Sequence, residues 1–177
     1  MKLSELTIKE YSSLLSARKS TPGGGSCLSL VLELACDLGL MMANFTLGKK
    51  GYEDVEEKVS EIVDELETIK LRAHTLIDLD GDAYGKVMNA YKNGDKKEIE
   101  EASLYACEIP YELYNLTKKT EELCLTLVDI GNKNLVSDAK IAIDLCLSIY
   151  NGCLLNIKAN ISNVEEIKRE KFLSLLK

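Results

Sequence analysis

Three aspartates fall within five residues at Asp78-Leu79-Asp80-Gly81-Asp82, and the chain's single histidine, His74, stands one helical turn before the first of them. Carboxylates and an imidazole are the groups that most readily take up and release protons in catalysis. The three acids are not equivalent. An apolar stripe runs through Val59, Ile62, Leu66, Ile69, Ala73 and Leu76, and resumes at Ala83, Val87 and Tyr91. Steps of three and four mark one face of a helix. Asp80 fills the gap in that stripe. A carboxylate facing a core is costly unless it is hydrogen-bonded, sits in a solvated pocket, or does chemistry. Asp80 is therefore either a buried acid bonded to a neighbouring helix or a catalytic carboxylate. Asp78 and Asp82 lie off the stripe, where solvent satisfies them. His74 and Asp78 can pair on one helix face, and a lone histidine is more often structural than catalytic.

Other polar residues stand where apolar ones are expected. Asp138, Ala142, Leu145, Ile149, Gly152, Asn156 and Asn160 share one face of a later helix. Asp138 and Asn156 there suit a polar pocket wall, or hydrogen bonds between helices. Gly152 would admit a second helix or a flat ligand. The stretch Pro22-Gly23-Gly24-Gly25-Ser26 leads into an apolar helix. Free amides and absent side chains there would let a carboxylate, phosphate or polar heterocycle approach the backbone. The spacing is not that of a P-loop. Lys49 and Lys50 follow the next helix end, where they complement its dipole or meet an anionic ligand tail.

Metal chemistry is not expected. The aspartate run fails as a calcium loop, since its sixth position is Ala83 and its twelfth Asn89. Glu57, Glu61, Asp64 and Glu65 form either a solvated face or a magnesium site of a helical nucleotide pyrophosphatase. The six cysteines are scattered through apolar stretches without a CxxC pair, which reads as reduced core residues in a cytoplasmic protein.

The elements that must position these groups are all helical, with two prolines, few aromatics and no alternating runs. Thr7-Ile8-Lys9-Glu10 is a capping box opening a short helix to about Ala17. A second helix spans about Ser26 to Leu47. A third reaches from Glu53 to Tyr91, with Gly81 as a weak point. Asn93-Gly94-Asp95 makes a turn. A fourth ends near Ile130, kinked or broken at Pro110. A fifth ends near Ile161, and Ser162-Asn163-Val164-Glu165 reads as a capping box for the last. The pattern predicts one all-α antiparallel bundle over residues 1–177. The second and fifth helices are apolar nearly all round, which predicts dimerisation. With 29 acidic against 22 basic residues, a broad nucleic-acid surface is not expected. Nor is a signal peptide. The apolar run Cys27 to Leu47 contains Glu33, Asp37 and Asn44, which favours a buried helix over a membrane span.

Five segments in order resemble the cyclodeaminase domain of formiminotransferase-cyclodeaminase and its stand-alone bacterial relatives, among them methenyltetrahydrofolate cyclohydrolases. They are TPGGGS at Thr21 to Ser26, ANFTLGKKGYEDVEE at Ala43 to Glu57, LIDLDGDAYGKVMNAYK at Leu76 to Lys92, GNKNLVSDAKIAI at Gly131 to Ile143, and NGCLLNIKAN at Asn151 to Asn160. The resemblance implies a helical homodimer or larger assembly and a tetrahydrofolate derivative as substrate, with no tightly bound cofactor. It points first to Asp80 as the catalytic carboxylate, with Asp78 as a secondary candidate; His74, read from its place on the same helix, is the next candidate. It maps the family's Gly-rich loop to Pro22 to Ser26, and Asn44, Lys49, Lys50, Asp138 and Asn156 are the further candidates for contact with the substrate. Formiminotetrahydrofolate cyclodeamination is the expected activity, with methenyltetrahydrofolate hydrolysis as the alternative. The chain departs from the family at Leu32, Glu33, Asp37 and Lys140. A helical pyrophosphatase and a non-catalytic scaffold are the rival readings.

Overall fold

The computed structural model describes residues 2–176, which form six α-helices joined by short 3-10 turns and no strand among them. Helix α1 spans Ile8–Leu15, and its capping box is present: Thr7 accepts from the Glu10 amide, and the Glu10 carboxylate accepts from the Thr7 amide. Helices α2 (Gly24–Asn44), α3 (Glu56–Asn93), α4 (Lys96–Ile130) and α5 (Val136–Asn160) make a four-helix bundle in which each packs on the next and α5 closes back on α2. Helix α6 (Glu166–Leu173) lies against α4, with Phe172 buried in edge-to-face contact with Tyr111.

The core is built from the predicted stripe. Val59, Ile62, Leu66, Ala73 and Leu76 of α3 are inaccessible and meet Leu32, Cys36 and Met42 of α2 and Leu113 and Leu127 of α4. The stripe drifts at its end: Tyr91 is half exposed, and Ala90 is buried in its place. The six cysteines are all free, five of them buried.

Four local expectations need correction. Helix α3 runs unbroken through Gly81. A Cβ there would lie 3.6 Å from the Thr21 side chain and 3.8 Å from that of Leu3. The glycine thus serves close packing of the N-terminal segment over α3, which outweighs its weak helix propensity. Helix α4 continues through Pro110, which is buried. The packing of α4 against α3 and α5 on either side of the proline holds the helix together. Helix α2 ends at Asn44 rather than Leu47, and Gly48 lies beyond it in a left-handed turn. Residues 162–165 do not form a capping box: α6 begins after Glu165, which makes no side-chain cap, and Ser162 belongs to the preceding 3-10 turn. Gly152 meets a helix, since a Cβ there would sit 2.5 Å from the Leu28 side chain.

Two helical stretches, Gly24–Asn44 and Lys133–Asn163, are long and apolar enough to cross a membrane by length and composition. Half of the apolar window of the first is buried against its neighbours, as in the core helix of a bundle.

The unequal lengths of the helices create the site. Helix α2 has 21 residues and α3 has 38. At 1.5 Å per residue these are about 30 and 55 Å long. At one end of the bundle α3, α4 and α5 therefore extend past the start of α2, and the space in line with α2 is left for the loop before it and a cavity.

Candidate active site

That cavity holds about 330 Å³. It is lined by Gly23, Gly24 and Gly25 at the start of α2, by Asp80, Ala83 and Tyr84 of α3, by Ala106 of α4, and by Asn156 and Asn160 of α5. Ser20 and Thr21 close one side.

Asp80 is fixed from above by α2. The N-cap residue of α2, Gly23, has no side chain to satisfy the first amides of the helix. The Ser26 amide instead donates to Asp80 Oδ2 at 2.9 Å. A carboxylate from α3 thus does the work of a cap, at the positive end of the α2 dipole. This contact requires Gly25, because a Cβ at that position would stand 2.0 Å from Asp80 Oδ1. Behind the loop, the buried Tyr11 hydroxyl of α1 shares a 2.9 Å hydrogen bond with the Ser26 hydroxyl. The three-glycine stretch is therefore the gap through which a carboxylate reaches the helix backbone from the side.

Burial makes the Asp80 carboxyl hold its proton more tightly than an exposed aspartate, and the Ser26 amide, which favours the charged form, offsets part of that rise. No Lys or Arg is among the lining residues. Across the cavity, the Asn156 amide nitrogen is buried without a hydrogen-bond partner. Its side-chain oxygen lies 3.9 Å from where a Cβ of Gly24 would be. The arrangement pairs a proton-accepting carboxylate with an unused donor over a space open to a flat polar ring.

The other sequence candidates fall elsewhere. Asp78 accepts from the Leu3 amide at 2.5 Å and the Ser4 hydroxyl at 2.7 Å, and so anchors the N-terminal segment. His74 does not pair with Asp78; it meets the Glu33 carboxylate at 3.2 Å on the α2–α3 seam. Pro22 is buried beside the loop and does not line the cavity. Ser26 reaches the site through its amide. Asn44 is the last residue of α2, at its opposite end, and Lys49 and Lys50 lie past it, where Lys49 donates to Asn132 Oδ1 at 2.6 Å. Asp138 shares a helix face with Asn156 but sits at the start of α5, and the 18-residue separation puts it ~27 Å away along the axis.

The departures noted in the sequence also lie off the cavity. Leu32 is core, Glu33 pairs with His74, Asp37 bonds Lys70 at 2.7 Å, and Lys140 is exposed near the start of α5. Lining residues missed in the sequence include Ser20, Thr21, Tyr84, Ala106 and Ala159. Tyr84 was accessible to a simple argument, since it follows Asp80 by one turn. Ala106 and Thr21 carry no chemical signal and are placed by the tertiary fold alone.

The formiminotransferase-cyclodeaminase family model matches residues 7–174, a span that contains every residue of the cavity. The chain belongs to the formiminotransferase-cyclodeaminase family. It is 28% identical over 172 residues to a methenyltetrahydrofolate cyclohydrolase of Methylorubrum extorquens, covering 90% of this chain and 81% of that protein. It is 25% identical to a formimidoyltransferase-cyclodeaminase of Dictyostelium discoideum, of which it covers 28% of the length. The crystal structure of a formiminotetrahydrofolate cyclodeaminase from Thermotoga maritima superposes with a TM-score of 0.94 at 36% identity, covering 99% of this chain and 88% of that one. Family membership identifies the chain as an enzyme of folate one-carbon chemistry. Glu61 pairs with Lys58 and Glu65 with Lys119, both at 2.8 Å, and no cluster of three potential metal ligands occurs among the described residues.

Proposed function

We propose that the protein is a formiminotetrahydrofolate cyclodeaminase in which Asp80 moves the protons. The observation that carries this is the Asp80 carboxylate, held on the Ser26 amide at 2.9 Å inside the cavity. In the reaction the N10 nitrogen adds to the formimino carbon on N5, and its proton passes to the imino nitrogen, which becomes an amine. A second proton lets that amine leave as ammonia, and the methenyl cation remains. One carboxylate can accept the first proton and deliver the second, with solvent restoring the balance. A carboxyl whose burial raises its pKa is suited to both steps. Asp80 also stabilises the cationic product electrostatically, unopposed by any lysine or arginine in the lining.

A second reading is supported by the likeness to the Methylorubrum protein. A cyclohydrolase adds water to the methenyl carbon, gives the water proton to a base, and opens the ring. The same cavity and carboxylate serve that reaction. The deciding experiment supplies 5-formiminotetrahydrofolate and 5,10-methenyltetrahydrofolate to the purified protein in parallel. Ammonia release with methenyl formation supports the cyclodeaminase reading. Methenyl hydrolysis without ammonia release from the first substrate would replace it with the cyclohydrolase. Turnover of neither would overturn both.

The protein is also proposed to act as a homodimer. Leu34 lies on α2 and Phe45 caps its end, and Ile141, Leu147 and Leu155 lie on α5; each is 50% exposed or more. Large aliphatic groups on two adjacent helices form a face that a second copy would cover. Sedimentation at micromolar concentration is expected to give a dimer, and Leu34→Glu with Ile141→Glu is expected to give monomer. A wild-type protein that sediments only as monomer would contradict this.

A further inference from the structure

The N-terminal segment is fastened to α3 beside Asp80. The Leu3 amide and the Ser4 hydroxyl donate to Asp78, and the side chains of Leu3 and Thr21 pack where Gly81 has none. Asp78 and Gly81 are three residues apart and share one face of the helix. Both ends of the stretch 3–21 are thus pinned to that face, and Ser20 and Thr21 continue from it into the wall of the cavity.

Between the two ends stands α1. A helix of eight residues does not persist in water by itself. The Thr7–Glu10 capping box and one docked side chain keep it. Tyr11 is the buried residue of α1, whereas Ile8 is 90% exposed. The Tyr11 hydroxyl ends on the Ser26 hydroxyl at 2.9 Å. What α1 brings to the bundle is therefore this one phenol, placed on the first turn of α2.

That turn needs a second hold. Ser26 is the third residue of α2, so its amide has no acceptor inside the helix and relies on Asp80. Gly23, Gly24 and Gly25 before it have no side chains with which to pack. A hydrogen bond to a carboxylate is about twice as strong as one to a neutral group. Whenever Asp80 takes up a proton, its grip on the Ser26 amide weakens. The Tyr11 hydroxyl holds the Ser26 side chain, and that bond does not depend on the charge of Asp80. Burial raises the Tyr11 pKa, the Ser26 bond offsets part of the rise, and the Asp80 charge adds to it, so Tyr11 remains a phenol. The contacts close a circuit: Asp78 holds the N-terminal segment, Tyr11 of that segment holds Ser26, and Ser26 holds Asp80, two residues from the start.

Resting on the proton-transfer reading of Asp80 above, we infer that Tyr11 is a positioning residue, which keeps the Ser26 amide in place while Asp80 carries the proton. The carboxyl then returns to one geometry in every cycle.

The test assays the full chain with 5-formiminotetrahydrofolate and 5,10-methenyltetrahydrofolate as wild type, Tyr11→Phe, Ser26→Ala and the double variant. Phenylalanine keeps the ring and alanine keeps the amide, so each change removes one hydroxyl. Loss of one neutral hydrogen bond predicts that kcat falls roughly three- to tenfold in Tyr11→Phe while KM stays within about twofold. Ser26→Ala is expected to fall alike, and the double variant no further, because all three lack the same bond. An unchanged kcat in Tyr11→Phe, a loss carried by KM instead, or losses that multiply in the double variant would each overturn the inference. If wild type turns over neither folate, the proton-transfer reading fails by itself. The hold on α2 is then measured by hydrogen exchange of the Ser26 amide, which is expected to quicken roughly threefold or more in Tyr11→Phe. An unchanged exchange rate would refute the role of Tyr11 independently of activity.

Discussion

Asp80→Asn is expected to reduce turnover about 100-fold or more, the effect of removing one acid–base group, while the thermal midpoint is kept. The asparagine oxygen can still accept from the Ser26 amide, so the cap on α2 survives. Linkage gives the sign of the stability effect. Folding raises the Asp80 pKa above its unfolded value, so the native state binds this proton more tightly. The stability that this group contributes is present below the unfolded pKa and is lost as pH rises through the folded one. Asparagine has no charge to bury, so as pH rises through that range the variant's midpoint is expected to match or exceed that of wild type. Asp78→Asn and His74→Ala are the comparisons. The first loosens the N-terminal segment by removing the acceptor of Leu3 and Ser4, and the second frees Glu33. Neither side chain lines the cavity, so each is expected to retain most of its turnover. Asp80→Asn with wild-type turnover would contradict the proton-transfer role.

Gly25→Ala is expected to produce the second-largest loss. The added methyl carbon would stand 2.0 Å from Asp80 Oδ1. Neither partner is free to yield, because the one is helix backbone and the other is held on Ser26. The carboxylate would have to leave the amide, or α2 would have to shift. We expect turnover to fall roughly tenfold or more through the displaced carboxylate and stability to fall by about 1–3 kcal/mol, as for overpacking. Gly24→Ala is the control for stability, since its nearest neighbour would be 3.9 Å away. Its midpoint is expected to stay at or above that of wild type, as alanine favours a helical position. Equal midpoints for the two variants would show that the close approach at Gly25 is not structurally required.

Asp80 was legible in the sequence because helical periodicity reports the face on which a residue lies. A single acid interrupting an apolar stripe is visible without coordinates. The glycine stretch was legible as a place of close approach, although the visitor turned out to be a carboxylate of the same chain as well as space for a ligand. Axial position was not legible. Asp138 and Asn156 share a face of α5, and only the structure shows that one lies beside Gly24 while the other is at the opposite end. The same holds for Lys49 and Lys50, which helix α2 separates from the loop that precedes it. His74 and Asp78 had better partners on other elements than each other, and tertiary contacts of that kind leave no trace in local spacing. Gly81 shows propensity overridden by packing, because its missing side chain admits Thr21 and Leu3.

The central claim is that Asp80 is the group that exchanges protons with the folate. The pH dependence of kcat/KM tests it most directly, measured for wild type and for the residual activity of Asp80→Asn. Burial raises the Asp80 pKa, so the wild-type profile is predicted to fall on its acidic side at a pH above the ordinary aspartate value. Asparagine does not titrate, and that limb is predicted to be absent from the variant. The same acidic limb, at the same pH, in both proteins would contradict the account.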